Sequence, residues 1–400
     1  MHHDRALFGL SSLLWLALTL LLAACGGRTA MSLVVAEPRR VEASLLVQVP
    51  CESPDCGLAA AAAAGRPAPT MLALGDAHSC ALTEDGGVYC WGLNAGGQLG
   101  DPGTRHTDVP VRVPGLGRMD AVWARYDMTC AREADDGSLQ CWGDTGLGRN
   151  REPGVATPLP YPGVRTLSLG LRAGCLTTDE HTFCWGNYGP SRGRYESPQR
   201  IDFPRGTSGV VAGMLRHCGV DPSGRITCIG QEFPRWTPAR ERGPIWRVEG
   251  IDGVRSLALP SLDPHGRPWI VDRAGRVMRT DVGPIVDYSR PRAVAQYPVE
   301  GIDQPVVALV AGGSHACALF SNATAACWGD NSHGEVGDGT TARRNEARFL
   351  ELTAVEEIAA GSQHTCARAS GRLYCWGDNT SGQVGVTPRR PQLLPVEVPW

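Results

Sequence analysis

Six close pairs of cysteines recur along the chain at nearly one interval, and this repeat constrains the fold more than any other feature. The pairs are Cys80/Cys90, Cys130/Cys141, Cys175/Cys184, Cys218/Cys228, Cys317/Cys327 and Cys366/Cys375. Their first members are 50, 45, 43, 99 and 49 residues apart. The step of 99 spans two intervals, so one repeat lacks its pair. That repeat is legible: residues 267–279 align without gaps on residues 78–90, with Trp269 and Arg279 where the two cysteines would stand. Both are lost together, as expected of a bonded pair, since one partner alone would leave a free thiol. Seven repeats therefore fill residues 70–400. A period of this length marks a solenoid or a propeller.

Within each repeat the residues alternate as strands do. Cys80-Ala81-Leu82, a glycine turn and Val88-Tyr89-Cys90-Trp91-Gly92 read as a β-hairpin with one cysteine on each arm. A cross-strand disulfide fits if the two are directly opposed; reduced buried thiols are the alternative. Zinc is disfavoured, because a gap of eight to ten residues is not the usual ligand spacing and no second ligand pair recurs nearby. Further strands precede the hairpins, as in Pro110-Val111-Arg112-Val113 and Pro198-Gln199-Arg200-Ile201. The expected architecture is all-β, a seven-bladed propeller of four-stranded antiparallel blades. The high content of glycine (50) and proline (30) suits many short strands joined by turns. Pro395-Val396-Glu397-Val398 is a strand with no repeat after it, and Ala60–Ala64 stands where the first repeat should have its own leading strand. The ring is therefore expected to close by the C-terminal strand joining the first blade, with Leu45–Val49 as a rival for that slot.

The remaining three cysteines fall near the N-terminus. An apolar run from Ala6 to Leu22 follows Arg5 and ends in Ala23-Ala24-Cys25-Gly26-Gly27. The run has the length of a secretory h-region with small residues at its end. Leu22-Ala23-Ala24-Cys25 resembles a bacterial lipobox. That resemblance implies a signal peptide over 1–24 and lipidation of Cys25; a plain secretory signal or a membrane-spanning anchor is the alternative. Export places the other fourteen cysteines where pairing is expected. Cys51 and Cys56 are then expected to close a small loop within an N-terminal segment and linker over 25–69. The protein is expected in the cell envelope, anchored by lipid and facing the periplasm or the cell surface.

The repeat carries a second pattern. Gly75-Asp76-Ala77-His78-Ser79-Cys80 is followed by Trp91-Gly92-Leu93-Asn94-Ala95-Gly96-Gly97-Gln98-Leu99-Gly100. The same pattern returns at Gly312 to Cys317 with Trp328 to Gly337, and at Gly361 to Cys366 with Trp376 to Gly385. These repeats resemble those of the regulator-of-chromosome-condensation family, over about four-fifths of the chain. The resemblance implies a seven-bladed propeller. Blade two departs with Met128 for the histidine, blade three with Ala173, and blades four and five lose the tryptophan. Some members of the family act as exchange factors for small GTPases through a wedge from one blade. Here no segment between hairpins carries an obvious insertion. Another relative is a secreted propeller that inhibits an enzyme by laying one ring face over it, which suits an exported chain better.

Composition narrows function further. The net charge of −3, with scattered basic residues, gives no nucleic-acid-binding face. No serine elbow, metal-binding histidine pair or paired-carboxylate signature stands out. Neither a cofactor nor a metal is expected. Asp85-Gly86-Gly87-Val88-Tyr89-Cys90-Trp91 resembles a sialidase Asp-box only superficially, because its spacing is wrong. An enzyme acting on glycans is the alternative reading. His78, His315 and His364 occupy one equivalent position in separate blades, which favours a structural hydrogen bond over a shared metal. The expected role is a non-catalytic scaffold for an unidentified protein partner. Divergent blades two to five are the expected source of a specific face, with Tyr188, Tyr195, Trp236 and Trp246 as candidate anchors.

Overall fold

A computed structural model describes residues 65–400 apart from 104, 146–153, 160, 172, 188–193, 202, 205, 213–215, 231–245, 248–250, 263–267 and 282–294. The described residues form seven four-stranded antiparallel sheets and no helix. Blade one is Pro69–Leu74, His78–Thr83, Val88–Gly92 and Thr107–Arg112. Blade seven is Val355–Ala360, His364–Ala369, Arg372–Gly377 and Gln392–Glu397. The five between repeat the plan, each made of four consecutive strands.

The second and third strands of a blade are the cysteine hairpin. The two cysteines face each other directly in the register of six blades. All six pairs are bonded, with Cα atoms 4.0–4.1 Å apart. In blade five Trp269 opposes Arg279 at that very register. The Arg279 guanidinium lies over the Trp269 ring at 5.8 Å. A cation–π contact thus stands where the other blades have a covalent bond. Trp269 also meets Trp328 of the next blade edge-on at 5.6 Å.

The hairpin turns are set by short polar side chains that imitate the backbone. Asp85 accepts from the amide of Gly87 at 3.0 Å, and Asp136, Asp221 and Asn322 do the same two residues ahead. The residue that superficially suggested an Asp-box is therefore a turn cap.

The hydrophobic core is divided among the seven junctions between blades. One cluster joins Leu82, Val88 and Val113 of blade one to Met119, Val122 and Trp142 of blade two. Equivalent clusters lie at every other junction, including that between blades seven and one, where Leu72, Leu74 and Trp91 meet Ala359, Leu373 and Val398.

Closure of the ring corrects one expectation. Gln392–Glu397 pairs with the third strand of its own blade, Cys375 opposite Val396, and does not join blade one. Blade one has its own first strand, Pro69–Leu74, paired with His78–Thr83. Strands such as Thr107–Arg112 are the fourth of the preceding blade, not the leader of the next. No exchange is needed, since both end blades are complete. The seam is sealed by packing and by the last residues. Trp400 Nε1 donates to Pro67 O at 2.8 Å, and the Trp400 ring meets Tyr89 and Trp91 edge-on at 5.6 and 6.2 Å. Ala60–Ala64 and Leu45–Val49 lie outside the described residues, as do Cys25, Cys51 and Cys56.

Candidate functional site

Antiparallel pairing puts the turn between the first and second strands on the same ring face as the loop between the third and fourth. His78 pairs with Gly92, for example, so Asp76 and Asn94 share a face. The repeat pattern found in the sequence is the machinery of this face.

Each histidine of the pattern is a staple between blades. His78 Nε2 lies 2.8 Å from Thr129 Oγ1 of blade two, and that hydroxyl donates to Gln98 O of blade one at 2.9 Å. His364 Nε2 and Ser79 Oγ are 2.9 Å apart, and Ser79 donates to Gln383 O at 2.8 Å. His315 Nε2 and Thr365 Oγ1 are 2.9 Å apart, and Thr365 donates to Glu335 O at 2.9 Å. The network fixes the tautomer. Each hydroxyl proton is committed to a carbonyl, so the hydroxyl accepts from Nε2–H, and Nδ1 is left bare. The three Nδ1 atoms are buried without a partner. Burial accordingly pushes His78 and His364 down to about 3 and His315 to about 4. Such rings stay neutral at physiological pH.

The staple demands glycine three residues before the histidine. A Cβ at Gly75, Gly312 or Gly361 would sit 2.1, 2.2 or 2.3 Å from the Cε1 atom of that ring. Sequence pairs follow the same logic across junctions. Ser or Thr precedes the first cysteine only in blades that follow a histidine-bearing blade: Ser79, Thr129 and Thr365. Gly174, His217, Pro268 and Ala316 occupy that position elsewhere. This signal was present in the sequence but needs pairing between repeats, not within them.

Tryptophan binds the same carbonyls. Trp91 Nε1 donates to Gln383 O at 2.9 Å, Trp142 to Gln98 O at 3.0 Å and Trp376 to Glu335 O at 2.8 Å. Packing and a junction bond, rather than ligand stacking, account for these three buried rings.

The outer loops are organised by a buried asparagine. Asn94 Oδ1 accepts from Leu99 N at 2.9 Å, Asn331 Oδ1 from Val336 N at 2.8 Å and Asn379 Oδ1 from Val384 N at 3.0 Å. Their amide nitrogens hold later carbonyls of the same loops, Asn331 to Thr340 O at 2.9 Å and Asn379 to Val386 O at 2.8 Å. Three adjacent blades, six, seven and one, thus carry rigid loops. Their tips expose Arg343, then Arg389 and Arg390, then Arg105 and His106.

At the centre of this face the axis is capped. Backbone amides link one inner turn to the next: Leu262 to Gly313 O at 2.9 Å, Gly313 to Ser362 O at 3.0 Å, Ser362 to Gly75 O at 3.1 Å, and Asp76 to Tyr126 O at 2.9 Å. Two side chains of blade two then cross the axis. Tyr126 donates its hydroxyl to Ser261 O at 2.7 Å, and burial pushes this phenol up to about 12. Arg125 donates to Leu259 O at 2.8 Å and Ala311 O at 3.1 Å. Arg125 occupies the position of Gly75, which only a blade without the histidine has room to fill. The Asp76 carboxylate accepts from Ser362 Oγ, and burial raises its pKa.

Of the four aromatic residues singled out in the sequence, Tyr188 and Trp236 lie outside the described residues. Tyr195 falls on the outermost strand of blade three, Arg194–Ile201, and Trp246 on the outermost strand of blade four, Trp246–Arg247. They share neighbouring blades but not one strand. Among the described residues, no group of three or more His, Cys, Asp or Glu is placed to hold a metal ion, and no helix is long and apolar enough to cross a membrane.

Comparison with known proteins agrees with this geometry. The regulator of chromosome condensation (RCC1) repeat matches residues 72–98, 306–335 and 355–383, and a second form of it matches 370–400. These are blades one, six and seven, the blades with the complete pattern. The ultraviolet-B receptor UVR8 of Arabidopsis thaliana is 25% identical over 303 residues, which cover 72% of this chain and 58% of the receptor. The E3 ubiquitin-protein ligase HERC2 of Homo sapiens is 26% identical over 166 residues, 37% of this chain and 3% of the ligase. The chain therefore spans little more than half of the first relative and a small part of the second. Among solved structures, human WBSCR16 superposes with a TM-score of 0.63 at 18% identity, covering 78% of this chain and 93% of that one, which shows a common fold. The three blades that carry the complete Gly-x-x-His staple, Trp and Asn pattern are thus the ones that match the RCC1 repeat, and the chain as a whole resembles the RCC1-like repeat family.

Proposed function

We propose that the protein is an exported, lipid-anchored scaffold that binds another protein through the loop-bearing face of blades six, seven and one. The observation that carries this reading is the set of preorganised loops. Each is fixed from within by Asn331, Asn379 or Asn94, so little conformational entropy is lost when a partner docks. Their exposed arginines, Arg343, Arg390 and Arg105, form an arc of positive charge suited to an acidic protein surface. Six disulfides fit a protein that folds in an oxidising environment. Cys25 would carry the lipid, the segment 25–69 would hold the ring off a bacterial membrane, and binding rather than catalysis would be the role. Tyr188, Tyr195, Trp236 and Trp246 are the proposed anchors of a second contact on blades three and four.

Photo-crosslinking separates the two faces and the two arcs. Benzoylphenylalanine at position 105, 343 or 390 is expected to capture one common protein in envelope extract. Position 321, exposed on the hairpin face, is expected to capture none. Equal capture from 321, or none from the three loop positions, would contradict the proposed face. Capture from 195 or 246 alone would move the site to blades three and four.

A further inference from the structure

The first strands of all seven blades wall a cavity of about 380 Å³ on the ring axis. The residues around it are largely aliphatic, and Met71, Leu309 and Val310 are among those only partly buried in the junction clusters. Two ionisable side chains reach it, Glu357 and Arg125, and they differ in how they are matched. Glu357 is engaged on both oxygens, by Leu72 N at 3.0 Å and by Arg368 Nε at 2.9 Å. Arg125 is not matched by a carboxylate among the described residues. Its two terminal nitrogens donate to the carbonyls of Leu259 and Ala311. Its Nε is buried with no partner. Asp76 is close enough to feel the guanidinium, but its carboxylate is bonded to Ser362 and forms no ion pair with Arg125.

Carbonyl dipoles satisfy hydrogen bonds but do not neutralise a full charge. A buried cation without a counter-ion is costly, and natural structures pair such groups or use them. A pocket of this volume lies at the lower end of the range for small ligands. Apolar walls with one charged group at the end fix both the body and the head of an occupant.

We propose that the axial cavity binds a small organic anion with an apolar body, its carboxylate seated on Arg125 and its chain against the aliphatic wall. The two carbonyls use two of the four terminal N–H groups of the guanidinium, and a charge-assisted bond from the others to a carboxylate is stronger than the carbonyl contacts it would add to or replace. This site lies on the axis, away from the loop tips, and stands independently of the proposed docking face.

The test uses the full-length protein, with decanoate below its micelle concentration, decanol and decyltrimethylammonium as probes in calorimetric titration. Decanoate is expected to bind at least tenfold more tightly than either of the others. Arg125→Met should abolish that preference while leaving decanol binding within about twofold. Leu309→Trp, which keeps the charge and fills the cavity, should weaken decanoate at least tenfold, and it serves if the Arg125 variant fails to fold as judged by circular dichroism. No decanoate binding by the native protein, a preference that survives Arg125→Met, or unchanged binding in Leu309→Trp would each overturn the proposal.

Discussion

Reduction of the six bridges is expected to lower the thermal midpoint by about 10 °C or more. Each bridge closes a loop whose ends are nine to eleven residues apart. Chain entropy assigns about 2.5 kcal/mol to a loop of that length, and less where the hairpin is already ordered in the unfolded ensemble. Even at half that figure, six bridges together contribute about 7 kcal/mol, a large part of the stability of an ordinary domain. The bonded cysteines are at most 1% exposed, so reductant must wait for local opening. Thermal scans of circular dichroism before and after reduction in mild denaturant measure the effect. Blade five supplies the internal contrast, because its Trp269–Arg279 contact is insensitive to reductant. A reduced protein that melts within a few degrees of the oxidised one would show that the junction clusters alone hold the ring.

Acidification below neutrality is expected to destabilise the ring by about 8 kcal/mol at pH 5 relative to pH 7. Four histidines are buried in the neutral form, with His78, His217 and His364 pushed down to about 3 and His315 to about 4. In the unfolded chain each takes up its proton near pH 6.5. The unfolded state therefore binds more protons below that value, and stability falls with pH. The loss begins near pH 6.5 and continues toward pH 4 or 3, about 2 kcal/mol for each histidine at pH 5. Asp76, Glu335 and Glu357, raised by burial, act in the opposite sense. The urea midpoint measured from pH 7.5 to pH 4.5 should fall steeply below pH 6.5. A flat profile down to pH 5 would show that the imidazoles are not held neutral by the staples.

Much of the fold was legible in the cysteine spacing, because a cross-strand disulfide requires two directly opposed positions and so fixes hairpin register. The blade without a bridge was legible for the same reason, and Trp269 and Arg279 are indeed opposed. The histidines were legible as structural, but their partners were not, since each hydroxyl belongs to the following blade. The misread element was the last strand. A fourth strand and the first strand of the next blade are both short and alternating, and the sequence does not show which sheet each joins. Register does show it, through Cys375 opposite Val396. Arg125 was invisible as a site residue for a different reason. It stands at a position where the histidine-bearing blades have glycine, and nothing local indicates that it reaches carbonyls on blades five and six. The aromatic residues of blades three and four were chosen for composition beside arginine, and that criterion carries no position in space.

Peptide mapping of the unreduced, mature protein by mass spectrometry tests the central claim, an exported ring of seven blades with one bridge in each of six. The account predicts Cys80–Cys90, Cys130–Cys141, Cys175–Cys184, Cys218–Cys228, Cys317–Cys327 and Cys366–Cys375 as the linked pairs. It further predicts a Cys51–Cys56 link and a Cys25 that is acylated and joins no disulfide. Free thiols throughout, or bridges between different blades, would contradict it.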